Sequence, residues 1–367
     1  MVVIQNYLAL GLLNVAALII LMLMVIQNGG IGRGRRGTYL TAIAATVVAV
    51  VSELYGVLFE GGLASARWLY VASSVVGFSV TPVIPVLLAS VFGGTDARAT
   101  WLNLIPCALN ALLAALSPLF GFIFEVSPDG AYRRGALFGA FIVTCLWAVF
   151  VILRTVVKTG RRYQYNFRIK LAALFVFIIL GTSVQVALPD IHATWTAITL
   201  AMALYYGFVC EFNDTLDALT KLYNRKSYEN EIERMRKKDR FSVIVMDVDD
   251  FKKTNDRYGH PYGDLCLTKL AELVQKSFYR IGTCYRIGGD EFCVLSSVVD
   301  EKKITSALQD LTQGIEKLRA EDPMVPVLSC GWQVCARNTE NCLDMAVRAA
   351  DRQMYENKAR RKNINAG

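Results

Sequence analysis

No two cysteines in this chain stand in a CxxC arrangement, although its 367 residues include nine of them. They are scattered through apolar runs. That excludes a zinc ribbon or a disulfide scaffold and leaves the expectation of small buried side chains in a reducing compartment. The amino terminus lacks a basic leader, its apolar run is too long for a cleaved signal peptide, and no small-residue cleavage site follows. A basic face interleaved with aromatics is also missing, so the net charge of +8 does not point to nucleic acid. Short basic loops and a basic tail account for most of it.

Apolar residues make up 54% of the chain, high for a purely soluble protein, and the excess lies before residue 212. Seven membrane spans are expected there: Tyr7–Ile26, Thr38–Phe59, Leu69–Phe92, Trp101–Phe124, Ala136–Val157, Leu171–Leu188 and Trp195–Phe212. The sixth and seventh are shorter than the rest. Basic residues follow the odd spans: Arg33, Arg35 and Arg36, then Arg98, then Arg161, Arg162, Arg168 and Lys170. The opposite loops hold only Arg67, Arg133 and Arg134. This bias places the amino terminus outside a bacterial cytoplasmic membrane, and an odd number of spans then delivers the remainder to the cytoplasm. The expected division is 1–212 as a transmembrane sensor or anchor, an all-α helical bundle, and 213–367 as a soluble domain.

Within the soluble part, Arg286-Ile287-Gly288-Gly289-Asp290-Glu291-Phe292 lies between two strand-like runs, Thr283 to Ile287 and Phe292 to Leu295. It reads as a hairpin whose small tip holds two carboxylates in solvent. Upstream, Phe241 to Met246 is an apolar run of the kind found in buried central strands, and Asp247 emerges at its end. Each motif alone is equally an acidic surface turn. If the hairpin pairs beside that strand, Asp247 and Asp290 converge, and two carboxylates with room for phosphate oxygens suit Mg²⁺, with Mn²⁺ as a substitute. Helical stripes through Leu267, Leu270, Ala271, Val274 and Phe278, and through Ile304, Leu308, Leu311, Ile315 and Leu318, are core. Lys226–Lys238 and Leu343–Ala359 are further helices, and Pro326–Val334 is strand-like.

These motifs resemble, in order and spacing, those of the GGDEF family of diguanylate cyclases over about the last 150 residues. The resemblance rests on Asp217-Ala218-Leu219-Thr220, on Asp247 to Asp256, on Tyr258-Gly259-His260 with Gly263-Asp264, on the signature turn, on Ser329-Cys330-Gly331, and on Ala350-Asp351, Met354-Tyr355 and Lys358. It implies an α/β (α+β sandwich), nucleotide-cyclase-like domain with a mainly antiparallel central sheet. It also implies condensation of two GTP into cyclic di-GMP and pyrophosphate, and an active homodimer formed through the catalytic domains and membrane helices.

By that resemblance the metal group is Asp247, the Val248 carbonyl and Asp290. Glu291 is the general base or a second metal ligand. Lys252, the backbone of Asp250 and Phe251, Gly288, Gly289, Lys358 and Lys362 serve the phosphates, and Asn255 with Asp264 reads guanine, whose adjacent N1–H and amino donors suit a carboxylate. Asp264 is alternatively a helix cap, and Asp249 a structural hydrogen-bonding group. Two positions depart from the family. Lys362 replaces an arginine and loses a bidentate fork, which Arg360 or Arg361 could restore. Tyr279 and Gly282 occupy the places of an Arg-x-x-Asp product-inhibition motif, so feedback by that route is expected to be absent.

In the membrane part, Glu53 is a costly charge, read as a ligand or coupling residue for an unknown signal, or as the partner of a base such as Arg154. Asn103, Asn110 and Gln185 line the same cavity or bond between helices. Three classes of function are open: a membrane-bound cyclase, a silent GTP-binding regulator, and a receptor whose soluble half serves only assembly.

Overall fold

The computed structural model describes residues 2–27, 32–93, 97–128, 130–163, 168–187, 193–335 and 342–366. The chain divides into two compact units, Met1–Asn213 and Asp214–Gly367. Lys362 and several residues used for orientation (Arg33, Arg98, Arg161, Arg162 and Arg168) have side chains outside what is described.

The amino-terminal unit is built from α1 (Val2–Gln27), α2 (Arg33–Glu60), α3 (Arg67–Val80), α4 (Val83–Gly93), α5 (Ala97–Phe120), a hairpin of β1 (Phe124–Val126) and β2 (Tyr132–Arg134), α6 (Phe138–Tyr163), α7 (Arg168–Ala187) and α8 (Thr194–Asp214). Among the described residues, six helices are long and apolar enough to cross a membrane, with α3 and α4 counted as one. The apolar part of α7 is shorter, Ala172–Gln185, so it falls short of the length expected of a seventh span.

The α3–α4 break has a local cause. Pro82 has no N–H to give the Phe78 carbonyl, and Asn110 Nδ2 of α5 donates to that oxygen instead, at 2.8 Å. The β1–β2 hairpin departs from the purely helical expectation. The span drawn to Phe124 ends at Phe120, Gly121 turns the chain at φ 64°, and Phe124 already belongs to β1. Strands of three residues are too short to show alternation, but the Pro128-Asp129-Gly130 turn sequence between them is a signal.

The carboxy-terminal unit runs α9 (Arg225–Met235), β3 (Phe241–Val248), α10 (Phe251–Tyr258), α11 (His260–Phe278), β4 (Thr283–Arg286), β5 (Glu291–Ser296), α12 (Glu301–Glu321), β6 (Leu328–Cys335) and α13 (Cys342–Ala366). The sheet order is β4-β5-β3-β6, and every neighbouring pair is antiparallel. All eight residues of β3 are buried, as its unbroken apolar run requires of a central strand covered on both faces. Alternation then sorts the two cores. Ile244, Met246, Val248, Phe292 and Val294 pack with α11 and α12. Phe241, Val243, Val245, Cys293 and Leu295 pack with α9 and α13. The result is the α/β sandwich.

One expectation about cysteine is corrected. Cys335, ending β6, and Cys342, opening α13, form a disulfide. Their sequence separation of 7 carries no CxxC signature, and the antiparallel return of α13 along β6 is what brings them together.

Gly331 shows why that return demands glycine. A Cβ there would lie 2.0 Å from the Ala350 carbonyl oxygen and 2.5 Å from the Met354 nitrogen, both backbone atoms of α13. Gly331→Ala is expected to destabilise this unit by about 1–3 kcal/mol, measured as a lowered denaturant midpoint. An unchanged midpoint would mean that α13 does not approach β6 this closely.

Candidate active site

The register of β3 against β5 builds the site. Asp247 stands directly opposite Glu291, and the Val248 N–H donates to the Asp290 carbonyl at 3.1 Å. By alternation along β3 and β5, Asp247 and Glu291 share the face covered by α13. Lys358, on α13, forms an ion pair with Asp247. Asp249 is engaged elsewhere. Ser329 Oγ donates to its Oδ1 at 2.7 Å, and Arg361 Nη1 lies 3.5 Å from its Oδ2. Arg361 also donates to the Leu328 carbonyl at 2.6 Å. These contacts fit the reading of Asp249 as a structural hydrogen-bonding group.

Crowding of negative charge is visible in the titration of these groups. Burial, and then the Asp247 charge, push the Asp290 carboxyl above its ordinary value. Burial, Asp247 and Asp290 do the same to Glu291. For Lys358, burial works against the ammonium, but the hydrogen bond and charge of Asp247 outweigh it and hold its pKa above the usual lysine value. The cluster thus already draws one cation to itself. Among the described residues, no three or more His, Cys, Asp or Glu side chains converge as a protein-only metal cage. Two or three carboxylates at an open strand end fit Mg²⁺, which keeps several waters and takes phosphate oxygens.

The signature turn is pinned by Arg286, a residue given no role from sequence. Its Nη2 and Nε donate to the Gly289 carbonyl at 2.7 and 3.3 Å, and its Nη1 to Asp217 Oδ1 at 2.9 Å. The same Asp217 oxygen accepts the Thr220 amide at 2.8 Å and hydroxyl at 2.7 Å. Burial alone would raise the Asp217 carboxyl, but Thr220 and Arg286 prevail and hold it below the ordinary value. The two turn glycines differ. A Cβ on Gly288 would lie 2.3 Å from Glu291 Oε2, whereas one on Gly289 would meet nothing within 4 Å, leaving open space for a ligand.

Beyond β3, Asp250 takes left-handed backbone angles (φ 52°, ψ 30°) and opens α10, with Lys253 Nζ 3.2 Å from its carboxylate. Phe251 begins the helix, and Lys252 is exposed. Asn255 is held where α10 meets α11: a Cβ on Gly263 would fall 1.9 Å from Asn255 Oδ1. That oxygen is buried and has no hydrogen-bond partner among the described atoms, an acceptor left for a donor from outside. The neighbouring Asp264 is exposed. It is not a helix cap, because α11 begins at His260 after Gly259, whose φ of 83° suits glycine. Asp247, Glu291, Asp290 and Lys358 are therefore brought together, while Asn255 and Asp264 lie one helix away.

Residues 214–364 match the family model described as the diguanylate cyclase GGDEF domain. The carboxy-terminal unit is a GGDEF domain. The probable diguanylate cyclase DgcT of Escherichia coli K12 is 30% identical over 155 residues, 40% of this chain and 34% of that protein. DgcS, a diguanylate cyclase of Shewanella oneidensis, is 42% identical over 84 residues, 22% of this chain and 28% of that protein. The chain thus spans about a third of the length of these curated relatives. A solved structure describing the interaction of a microbial GGDEF domain with bis-(3,5)-cyclic di-GMP is 28% identical, covering 39% of this chain and 92% of that one, with a TM-score of 0.32.

The pin on the GGDEF turn has a definite acid dependence. A carboxyl with a lowered folded pKa stabilises the fold fully above the unfolded value and loses that contribution as pH falls through the folded one. Asp217→Asn should therefore cost about 1–3 kcal/mol of stability at neutral pH. The gap from wild type should persist through mild acid and close only below the ordinary carboxylate range. Denaturant midpoints measured across pH test this, and a gap constant down to strong acid would remove Asp217 from the pin.

Proposed function

We propose that this protein is a membrane-bound diguanylate cyclase that condenses two GTP into cyclic di-GMP, regulated by a signal sensed through its helical unit. The observation that carries this is the in-register pairing of β3 with β5, which sets Asp247 and Glu291 opposite each other with Asp290 adjoining. The names of the curated relatives, a diguanylate cyclase and a probable one, agree with it.

In this reading the 3′-hydroxyl of one GTP attacks the α-phosphorus of the other. The new P–O bond forms as the bond to the β-phosphate breaks, pyrophosphate leaves, and a second, reciprocal step closes the ring. Asp247, Asp290 and the Val248 carbonyl would hold Mg²⁺ or Mn²⁺, which would supply neutralising charge for phosphate oxygens and make the hydroxyl more acidic. Glu291, beside these ligands, accepts the proton, and its ordinary carboxylate range is shifted upward toward that of an effective base. Lys358 is paired with Asp247, which a divalent cation would take over, leaving the ammonium for triphosphate oxygens. The amides of Asp250 and Phe251 with Lys252 cradle the remainder, joined by Gly288, Gly289 and Lys362. Asn255 and Asp264 take the donors of guanine; the partnerless Asn255 oxygen supports this.

Each GGDEF domain holds one nucleotide, so the active form is a homodimer. Six helices long and apolar enough to cross a membrane support a setting in a lipid bilayer. The basic loops assign the amino terminus to the outside and the GGDEF domain to the cytoplasm, with α7 as the remaining crossing.

The test is full-length protein in lipid nanodiscs with GTP and Mg²⁺. Wild type should release cyclic di-GMP and pyrophosphate. Asp290→Ala and Glu291→Ala should each lower turnover by about a hundredfold or more. GTP binding without turnover in wild type would instead establish a silent regulator. In the same assay Lys362→Arg should lower KM for GTP a few-fold, about one charge-assisted hydrogen bond's worth. An unchanged KM would put Lys362 away from the phosphates.

A further inference from the structure

Among the helices of the amino-terminal unit, α8 is tied to its neighbours differently from the rest. Polar side chains bind it to four other helices. Asn14 of α1 donates to Thr196 Oγ1 at 3.1 Å, and Tyr39 of α2 to the Met202 carbonyl at 2.6 Å. Tyr205 donates to the Leu88 carbonyl of α4 at 2.5 Å, and Gln185 of α7 accepts the Thr194 amide at 3.1 Å. At the end of α8 nearest Asp214, Lys170 of α7 pairs with Glu211, and Arg35 of α2 donates to Asn213 at 3.4 Å. At its beginning, Trp195 Nε1 donates to the carboxylate of Glu53 on α2. This partner is a neutral indole, not a base such as Arg154. Among the described residues, no basic side chain pairs with Glu53.

Glu53 is thus a carboxylate inside a helix bundle, held by a neutral donor on another helix, at one end of the helix that leads into the GGDEF domain. Only two residues separate the end of α8 at Asp214 from Asp217, which is bonded to Arg286 and through it to the signature turn. A helix held by discrete hydrogen bonds rather than by apolar contact alone has discrete positions. Loss of one bond at its far end changes which position is favoured.

We propose that the Glu53 carboxylate is the latch of α8: it holds the helix in register through Trp195, and its release is what passes a stimulus along α8 to the GGDEF domain. Glu53 acts here as a positioning residue. The proposal rests on the cyclase reading only for its output, not for the movement itself.

The experiment uses the full-length protein in nanodiscs, with Glu53→Ala, Trp195→Phe, the double variant, and Glu53→Gln, which keeps an acceptor of the same shape. Hydrogen exchange of the segment 213–224 is followed together with cyclic di-GMP formation. Glu53→Ala and Trp195→Phe should speed exchange there alike. Both should move turnover in the same direction by about fivefold or more, the low end of ordinary coupling between sites. The double variant should match either single one, and Glu53→Gln should restore most of the wild-type behaviour. Altered exchange with no turnover in any form, wild type included, would uphold the latch while removing the cyclase. Unchanged exchange in both single variants, or additive effects in the double one, would overturn the latch whatever the turnover.

Discussion

The register between β3 and β5 is the constraint on which the site depends. Because side chains alternate along a strand, a slip of one residue would turn Asp247 to the face of α11 and α12 and place an apolar side chain opposite Glu291. What prevents the slip is the same alternation further along. Val243, Val245, Cys293 and Leu295 must all face α13, and Ile244, Met246, Phe292 and Val294 must all face α11 and α12. The cost of exposing either set far exceeds the repulsion among a few carboxylates. Apolar packing in the sheet therefore holds acidic groups closer together than they would sit by themselves; burial first, and then the neighbouring carboxylates, push Asp290 and Glu291 above their ordinary values.

The same reasoning explains what can and cannot be read in the chain. The fully buried β3, the hairpin of β4 and β5, and the stripes of α11 and α12 are legible, since burial on both faces and helical periodicity leave plain patterns. The meeting of Asp247 with the signature turn follows once the hairpin is placed beside β3. Contacts between distant residues with no periodic signal are not legible. Arg286 reaching Asp217 and Cys335 reaching Cys342 depend on how the segment after α8 and α13 return to the sheet, and Ser329 reaching Asp249 depends on the pairing of β6 with β3. Asp264 passes for a cap in the sequence, yet Gly259, in a backbone region that only glycine occupies freely, lets the helix begin at His260. In the amino-terminal unit hydropathy reveals the long helices, but not the break at Pro82 or the hairpin of three-residue strands.

The two units solve the problem of buried polarity in opposite ways. In the bundle, buried polar groups hold one helix to another: Asn110 fills the bond that Pro82 vacates, and Glu53 takes a neutral donor from Trp195. In the GGDEF domain, polarity at the end of β3 is left in excess, with three carboxylates sharing one lysine. The first arrangement fixes a geometry, and the second invites a ligand.

That excess decides how Lys358 should be understood. An ammonium on Asp247 offsets part of the repulsion, and it stands on an oxygen that a divalent cation would take. A doubly charged ion at the same carboxylates offsets more repulsion than one ammonium. The exchange would leave Lys358 beside newly arrived phosphate rather than beside carboxylate, so its positive charge would be used in both states. The helix carrying it is fixed to β6 by the close approach at Gly331. The side chain, not the backbone, must therefore make the move, and a long flexible lysine can do so where a rigid guanidinium fork would be tied to its first partner.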